Sequence, residues 1–299
     1  TRSMSSIDTL IEMLAFRRPA FSVHEEAFIE KYIEPLGCSR DHFGNLYLDI
    51  GKNPTTLWSS HTDTVHTKGG FQELIIQHGK VRVHKSSHRD SNCLGADCTT
   101  GVWLMSEMIK GGVPGRYVFH RDEESGGRGA KYIQKYNRPV LDGIKHAIAF
   151  DRKGTNEVIT HQGYSRTASD DFAESLCSAL KLGYKKSDRG MFTDTKVYQY
   201  DIPECTNISV GYRKQHQQSE TQDLTFAEAL RDVMVTFEAG NLVTAREPIE
   251  FVNSYSKPEE LMLRLIKGYP AAIRDLLQDT GYSSREVEDY VYEWMIDGH

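Results

Sequence analysis

Apolar positions recur at helical spacing at the start of the chain and then give way to short apolar runs. Between positions 7 and 14 the apolar residues lie three or four apart, which predicts an amphipathic helix. A capping box at Ser22-x-x-Glu25 predicts a second helix through Tyr32. The short runs that follow predict strands, which include 45–50, 56–60, 74–77, 80–84, 116–120, 146–150 and 207–212.

Helical patterns separate these runs, and the alternation predicts an α/β protein. A helix capped by Thr99 or Thr100 is expected to run to 110, and further helices are expected to end near 136 and to cover 170–182 and 225–239. The last of these closes the α/β unit, so we expect a catalytic domain over 1–250.

The composition changes after Glu250. Three short helices are predicted over 258–267, 270–278 and 284–295, and a capping box at Ser283-x-x-Glu286 opens the last. Residues 254–299 therefore read as a small helical appendage. Its simplest role is packing, and the alternatives are control of substrate access or oligomerisation.

Acidic residues fall at or just beyond the ends of the apolar runs. They are Asp63, Asp97, Glu123, Glu124 and Asp151. An open α/β sheet gathers such residues at the carboxyl ends of its strands. Carboxylates packed together without a cation repel one another or keep their protons. Two zinc ions would remove this conflict, because imidazole and carboxylate form an ordinary zinc ligand set and His61 and His216 flank the acids.

Each element has an ordinary explanation when it is taken alone. The His61-x-Asp63 pair is typical of a solvated loop or a hydrogen-bonded core histidine. Adjacent glutamates such as Glu123 and Glu124 are typical of a polar helix face. The order of all the elements, each after an apolar run, is what favours a two-metal hydrolase.

Five segments resemble the successive metal-site motifs of the co-catalytic zinc exopeptidases. This clan includes the aminoacylase and carboxypeptidase G family, peptidase T and the aminopeptidase S type, and the resemblance covers about residues 5 to 245. The segments are WSSHTDTV at 58–65, LGADCTTG at 94–101, DEESGGRGA at 122–130, FDRKG at 150–154 and NISVGYRKQH at 207–216. The resemblance implies a three-layer α/β/α fold of the zinc-exopeptidase and phosphorylase type, with a central mixed, mostly parallel sheet.

The chain departs from the clan where aminoacylase-like members carry an inserted lid or dimerisation domain. Only 65 positions (216 − 151) separate Asp151 from His216, and a separate domain does not fit that interval beside its own strands and helix. The chain thus resembles a lidless member, nearer to the aminopeptidases in organisation. The 36 positions (97 − 61) between His61 and Asp97 are more like the lidded branch.

The resemblance also implies a role for each matching residue. The first zinc ion would be held by His61, Asp97 and Asp151, and the second by Asp97, Glu124 and His216. A hydroxide bridging the two zinc ions would attack the substrate. Glu123 would act as general base for this water and pass its proton to the leaving amine. Asp63 would accept the free ring N–H of His61 and fix its tautomer.

Composition limits the partners. The net charge of −6 and the lack of a clustered basic face argue against a nucleic-acid partner. No run of 18 apolar residues and no signal-peptide pattern is present, so neither membrane insertion nor export is expected. Five cysteines without a Cys-x-x-Cys pattern favour free thiols. We therefore expect a cytoplasmic enzyme, which can form a homo-oligomer.

Three functions remain open. An aminopeptidase acting on small peptides is favoured by the lack of a lid, and Asp194 is a candidate partner for the substrate α-ammonium. An N-acyl-amino-acid amidohydrolase or deacetylase would share every metal residue, and Arg189 and Arg213 are candidate partners for a substrate carboxylate. A metal-retaining, non-catalytic binding module is the third, and the intact Glu123 argues against it. Co²⁺ or Mn²⁺ are possible substitutes for zinc.

Overall fold

The structure is a computed structural model and describes residues 5–248, 266, 270–279, 283 and 285. The chain divides into two compact units, Thr1–Ile249 and Glu250–His299. Within the first unit, apolar stripes fold into helices that cover a central sheet. The described helices of the chain are α1 Ser6–Leu14, α2 Val23–Tyr32, α3 Ala96–Lys110, α4 Arg128–Tyr136, α5 Asp170–Leu180, α6 Asp194–Val197, α7 Leu224–Met234 and α8 Pro270–Asp279.

Short strands rich in apolar residues lie between these helices. In chain order they are β1 Phe16–Arg17, β2 Ser39–Arg40, β3 Leu46–Ile50, β4 Thr56–His61, β5 Gly70–Phe71, β6 Leu74–Gln77, β7 Lys80–Val83, β8 Gly115–His120, β9 His146–Arg152, β10 Glu157–Ile159, β11 His161–Gln162, β12 Ser165–Arg166, β13 Lys185–Ser187, β14 Glu204–Ser209, β15 Tyr212–Arg213 and β16 Thr221–Asp223.

Eight strands form the central sheet in the order β13-β10-β14-β9-β4-β8-β3-β2. The four central strands, β14, β9, β4 and β8, run parallel to one another. Antiparallel pairs join β10 to β14, β3 to β8 and β2 to β3. The sheet is therefore mixed, and the predicted α/β fold class is confirmed.

Alternation along β4 shows how the sheet separates two apolar layers. Leu57 packs with Val118 and Ile133 on one side, whereas Trp58 joins a larger cluster with Leu10 and Phe150 on the other. Successive side chains of a strand point to opposite faces, so a strand that is buried along its whole length needs helices on both sides. This arrangement produces the three layers.

The interval between Asp151 and His216 is described throughout. Strands β10, β13 and β14 join the central sheet, and the interval also contains the β11–β12 hairpin, helices α5 and α6, and β15. β15 pairs with β16 in a four-stranded sheet of order β15-β16-β7-β6, which includes the predicted hairpin of β6 and β7. The interval therefore holds no inserted sheet domain of its own.

Helix α3 is kinked at its start, because Asp97 and Cys98 have non-helical backbone angles. The N-cap of the whole element is Gly95, with φ of 77°, but regular helix begins only after Cys98, close to the start that the sequence predicts. The hydroxyl of Thr99 donates to the Gly95 carbonyl, and that of Thr100 donates to Gln222 Oε1 at 2.6 Å. The hydroxyls of both threonines thus bind groups inside the helix or across the core, and neither caps the N-terminus of the helix.

The predicted capping box of α2 is only half formed. Ser22 Oγ accepts from Glu25 N at 3.1 Å. The Glu25 carboxylate instead accepts from Phe21 N at 2.6 Å and from the guanidinium of Arg121 at 2.9 Å. The Glu25 carboxylate and the Arg121 guanidinium are both buried, and a buried charge needs a partner. The ion pair between them therefore outweighs the second capping bond.

Other boundaries differ by a few residues. Helix α5 ends at Leu180, because Lys181 adopts a left-handed conformation with φ of 64°. Helix α7 ends at Met234, and β14 covers Glu204–Ser209 instead of 207–212. The last of these differences arises because β14 follows its parallel neighbour β9 from Glu204 onward.

In the second unit, α8 corresponds to the helix predicted over 270–278. The helices predicted over 258–267 and 284–295, together with the capping box at Ser283 and Glu286, lie outside the described residues apart from single positions. Among the described helices, none is long and apolar enough to cross a bilayer.

The buried face of α1 allows a direct test of the assigned apolar core. Leu10 is fully buried, whereas Val23 on α2 is 77% exposed. We predict that Leu10→Ala lowers the free energy of unfolding by about 2–5 kcal/mol, because it leaves a cavity. The matched change Val23→Ala is expected to alter it by about 0.5 kcal/mol or less. Urea unfolding measures both, and equal losses would contradict the assigned core.

Candidate metal centre

His61 ends β4 and is fully buried at the carboxyl edge of the sheet. Its Nε2 lies 3.1 Å from Asp97 Oδ1 and 3.5 Å from Asp151 Oδ1. Its Nδ1 lies 2.9 Å from the carbonyl oxygen of Asp63 and 3.3 Å from Asp63 Oδ1. One ring nitrogen thus faces two carboxylates, and the other is held by a single residue that fixes the ring.

Asp97 joins the two halves of the site. Its Oδ2 lies 3.0 Å from Nε2 of His216, whose ring also lies 3.1 Å from Glu124 Oε1. The sequence placed Asp97 at a strand end, but it enters from the first turn of α3. This part of the expectation is wrong, because the preceding residues form a loop whose backbone is bound by Glu220 and does not join the sheet.

Asp151 lies near the end of β9 and is held by three neighbours. Thr193 Oγ1 donates to Asp151 Oδ2 at 2.6 Å. The Tyr212 hydroxyl donates to the Asp151 carbonyl at 2.9 Å and lies 3.3 Å from Oδ1. The Asn207 side-chain amide bonds both the N–H and the carbonyl of Asp151, at 2.9 and 2.8 Å. The carboxylate therefore has a fixed orientation toward His61.

Asp63 fixes the two adjacent glutamates through their backbone. Its Oδ1 accepts from Glu123 N at 3.0 Å, and its Oδ2 accepts from Glu124 N at 3.1 Å. Both oxygens are thereby engaged while the residue also contacts His61. One buried carboxylate thus couples the end of β4 to the turn after β8.

Glu123 lies at the centre of this arrangement. Its side chain is largely buried, and Oε2 lies 3.8 Å from Nε2 of His61. Glu124 points instead toward His216. The two neighbouring glutamates therefore face different parts of the site.

The carboxylates carry more negative charge than their surroundings neutralise. Burial, together with Asp97, raises the pKa of Glu124 to about 7 and that of Asp151 to about 6. Burial also raises the pKa of Glu123 well above its ordinary range. Hydrogen bonds that the protonated His216 ring donates to Asp97 and Glu124 raise the pKa of His216 to about 10. In the absence of another cation, the site thus holds protons that a metal ion could replace.

The donor atoms fit metal ions. In the described part of the chain, atoms of Asp97, Glu124 and His216 all lie within 4.8 Å of one another, as do those of His61, Glu123 and Glu124. Imidazole nitrogen and carboxylate oxygen are ordinary zinc ligands. The two sets share Glu124, and Nε2 of His61 in one set lies 3.1 Å from Asp97 Oδ1 in the other.

Cys98 also lies among these donors. Its Sγ is within 4.8 Å of donor atoms of His61 and Asp151, but it donates to the Phe150 carbonyl at 3.2 Å. Burial raises the pKa of this thiol well above its ordinary value. Because a metal binds the thiolate, Cys98 fits a packing role better than a ligand role.

Glu220 is a buried residue of the site that the sequence analysis did not identify. Its Oε2 accepts from the backbone of Leu94 and Gly95 at 2.9 and 2.8 Å, and its Oε1 accepts from Asp97 N at 3.2 Å. It thereby ties the loop before Asp97 to the segment that follows His216. Its position four residues after His216 matches no recognised motif, so only the fold reveals it.

Asp194 is buried at the start of α6, close to the acidic cluster. Its Oδ2 lies 3.4 Å from Nδ1 of His120, and its Oδ1 has no hydrogen-bond partner in the described structure. Burial raises the pKa of Asp194 well above its ordinary range. A cationic donor would remove the cost of this unmatched oxygen.

The two candidate arginines lie on the surface. Arg189 is 79% exposed at its side chain and lies 3.0 Å from Glu157 Oε1. Arg213 is exposed on β15, in register with Thr221 of β16. Arg189 is thus already paired, and neither arginine is among the residues that surround Glu123.

No protein-family model matches the chain, and no curated protein sequence matches it. Solved structures do match, however, and at high probability.

A tripeptidase from Staphylococcus aureus is 14% identical, with 77% of this chain and 96% of that chain covered and a TM-score of 0.62. The aminopeptidase PepT from Bacillus cereus is 15% identical, with 77% and 96% covered and a TM-score of 0.56. The TET1 peptidase from Pyrococcus horikoshii, which can assemble into a tetrahedron or a large octahedral shell, is 18% identical, with 78% and 100% covered and a TM-score of 0.57.

These identities are too low to carry a substrate from one protein to another, but the structural overlap covers nearly the whole of each neighbour. The chain therefore has the fold of these tripeptidase and aminopeptidase structures.

Proposed function

We propose that the chain is a metal-dependent aminopeptidase that cleaves the peptide bond next to the free amino terminus of a small peptide. The observation that carries this proposal is the position of the Glu123 carboxylate, 3.8 Å from Nε2 of His61. Glu123 belongs to the donor set of His61, Glu123 and Glu124, which shares Glu124 with the set of Asp97, Glu124 and His216. The fold shared with peptidases supports the same reaction class.

The donor set assigns a task to each ligand. His61, Asp97 and Asp151 would hold one zinc ion, and Asp97, Glu124 and His216 would hold the other, with Co²⁺ or Mn²⁺ as substitutes. When bound, two such ions acidify a water and polarise the carbonyl of the bond to be cleaved. Thr193 and Tyr212 then keep Asp151 oriented, and Glu220 keeps the backbone of Asp97 in place.

Glu123 would act as the general base. Burial raises its pKa well above that of an exposed glutamate, and the greater basicity suits a group that takes a proton from water and returns it to the leaving amine. Asp63 is a positioning residue, since it holds the Glu123 backbone N–H at 3.0 Å and contacts the His61 ring. This bond fixes the backbone position from which the Glu123 side chain extends.

Asp194 would recognise the substrate amino terminus. Its Oδ1 is a buried acceptor without a donor in the described structure, and an α-ammonium supplies both the charge and the hydrogens it lacks. Arg189, the candidate for a substrate carboxylate, is engaged by Glu157. This contrast favours an aminopeptidase over an N-acyl-amino-acid amidohydrolase, in which Arg189 or Arg213 would bind the carboxylate.

The proposal extends to the organisation of the chain. Residues 1–250 would form the catalytic domain and 254–299 the helical appendage. A homo-oligomer is compatible with this scheme, because the TET1 peptidase of the same fold assembles into large shells.

The assay that tests the proposal uses purified, zinc-loaded protein against aminoacyl amides, dipeptides and N-acetyl amino acids. We expect hydrolysis of the first two classes, loss of activity with a chelator and recovery with zinc. Hydrolysis of N-acetyl amino acids alone would establish the deacylase instead. Metal binding without turnover of any of these substrates would favour a non-catalytic binding module.

We predict that Glu123→Gln retains both metal ions but loses turnover by roughly 100- to 10,000-fold, because the amide keeps the shape and removes the proton acceptor. Glu30, which is exposed on α2, provides the matched control, and Glu30→Gln is expected to leave the rate unchanged. Metal analysis and steady-state kinetics measure both properties. Full activity of Glu123→Gln on the best substrate would show that Glu123 is not the base.

A different effect is expected for Asp97, the residue proposed to bind both metal ions. Asp97→Ala removes the carboxylate that faces both His61 and His216, so we predict a fall in bound metal together with the loss of turnover. Asp142→Ala, at an exposed position, controls for removal of a carboxylate. Zinc content is measured by atomic emission after dialysis. Two tightly bound ions in Asp97→Ala would contradict the bridging assignment.

A further inference from the structure

Three consecutive residues approach the proposed site from the loop before α6. Thr193 donates to Asp151 at 2.6 Å, and Asp194 follows it into the buried acidic cluster. Phe192 precedes them and is 37% exposed. The backbone positions of Thr193 and Asp194 therefore fix where the Phe192 ring can lie.

The Phe192 ring packs on the turn that carries the proposed base. A Cβ added to Gly127 would lie 2.5 Å from Phe192 Cζ and 3.5 Å from Asp194 Oδ1. The N–H of Gly127 in turn donates to the Glu123 carbonyl at 2.8 Å. Only a glycine leaves room for the ring at this point, so the ring is seated directly beside the Glu123 turn.

This side of the site is apolar where it meets solvent. Met191, next to Phe192, is 72% exposed. Exposed large apolar side chains beside a charged site are a feature of ligand-binding surfaces. The Phe192 ring leaves part of its surface free, and an apolar ligand group could cover it.

The arginines of this part of the chain already have carboxylate partners. Arg189 lies 3.0 Å from Glu157 Oε1, and Arg152 Nε donates to Glu157 Oε2 at 2.8 Å. Arg128, which follows Gly127, lies 2.7 Å from Asp122 Oδ2. An acidic ligand group would compete with these carboxylates, whereas an apolar group meets Phe192 and Met191 without that competition.

We propose that Phe192, with Met191, forms the apolar wall of the subsite that receives the side chain of the substrate's N-terminal residue. This inference rests on the proposed aminopeptidase function and adds its specificity. The ring packs on Gly127, in the turn that carries Glu123, and Asp194 Oδ1 lies close to the same glycine. A substrate with its α-ammonium at Asp194 and its scissile bond near Glu123 would therefore place its first side chain on this side of the site. Peptides that begin with Phe, Leu or Met are therefore the preferred class.

The test compares zinc-loaded wild type with Phe192→Ala and Phe192→Leu on the p-nitroanilides of Phe, Leu, Ala and Glu. We expect wild type to prefer Phe and Leu. Phe192→Ala should lower kcat/KM for these two by about tenfold, mainly through KM, and should leave Ala unchanged, since one lost apolar contact is worth about that factor. Phe192→Leu should restore most of the preference.

Phe71→Ala is the matched control, because this ring is also exposed, at 62%, but packs on Phe16 and His24. Zinc content and thermal unfolding exclude a folding defect. An unchanged Phe and Leu preference in Phe192→Ala, or a wild-type preference for Glu, would overturn the inference while leaving the aminopeptidase function intact.

If no anilide is cleaved, the proposed aminopeptidase function fails. Calorimetric binding of L-phenylalanine and glycine then tests the apolar subsite separately. Tighter binding of L-phenylalanine than of glycine, with a loss of about tenfold in Phe192→Ala, supports the apolar subsite on its own. Equal binding of the two ligands by wild type overturns it.

Discussion

The burial of several carboxylates in one small volume is the constraint on which the rest of this structure depends. Each of them requires a partner, because an unpaired buried charge is costly. Asp63 obtains two backbone N–H groups, and Glu220 obtains three. Burial raises the pKa of Glu123 and, despite its three backbone donors, also raises that of Glu220 to about 8. The fold thus supplies backbone donors to the carboxylates that position the site and leaves the carboxylate of Glu123 to the proposed reaction.

The sequence predicted the parts of this arrangement that are local. Runs ending at Ser60, His120 and Phe150 predicted three of the four central strands, because short apolar segments flanked by polar residues are typical of buried parallel strands. The motif order then grouped His61, Asp97, Glu124, Asp151 and His216, which the structure brings together. The entry of Asp97 from a helix was missed, since its short apolar neighbourhood resembles a strand end.

Contacts between distant segments could not be predicted in this way. Glu220 reaches Leu94 across 126 positions, and Tyr212 reaches Asp151 across 61. Nothing in the sequence positions of Glu220 and Tyr212 distinguishes these buried residues from ordinary surface residues. The position of Phe192 could not be predicted either, because its ring packs where Gly127 has no side chain. Contacts between distant segments therefore determine features that the motifs do not predict, including the side-chain specificity inferred for the site.

A crystal structure of the zinc-loaded protein, with anomalous scattering measured at the zinc edge, tests the central claim most directly. The account predicts two anomalous peaks about 3.5 Å apart. One would lie among His61, Asp97 and Asp151, and the other among Asp97, Glu124 and His216, with the Glu123 carboxylate beside both and bound to neither. A single peak, or zinc held by other residues with Asp97 uninvolved, would contradict it.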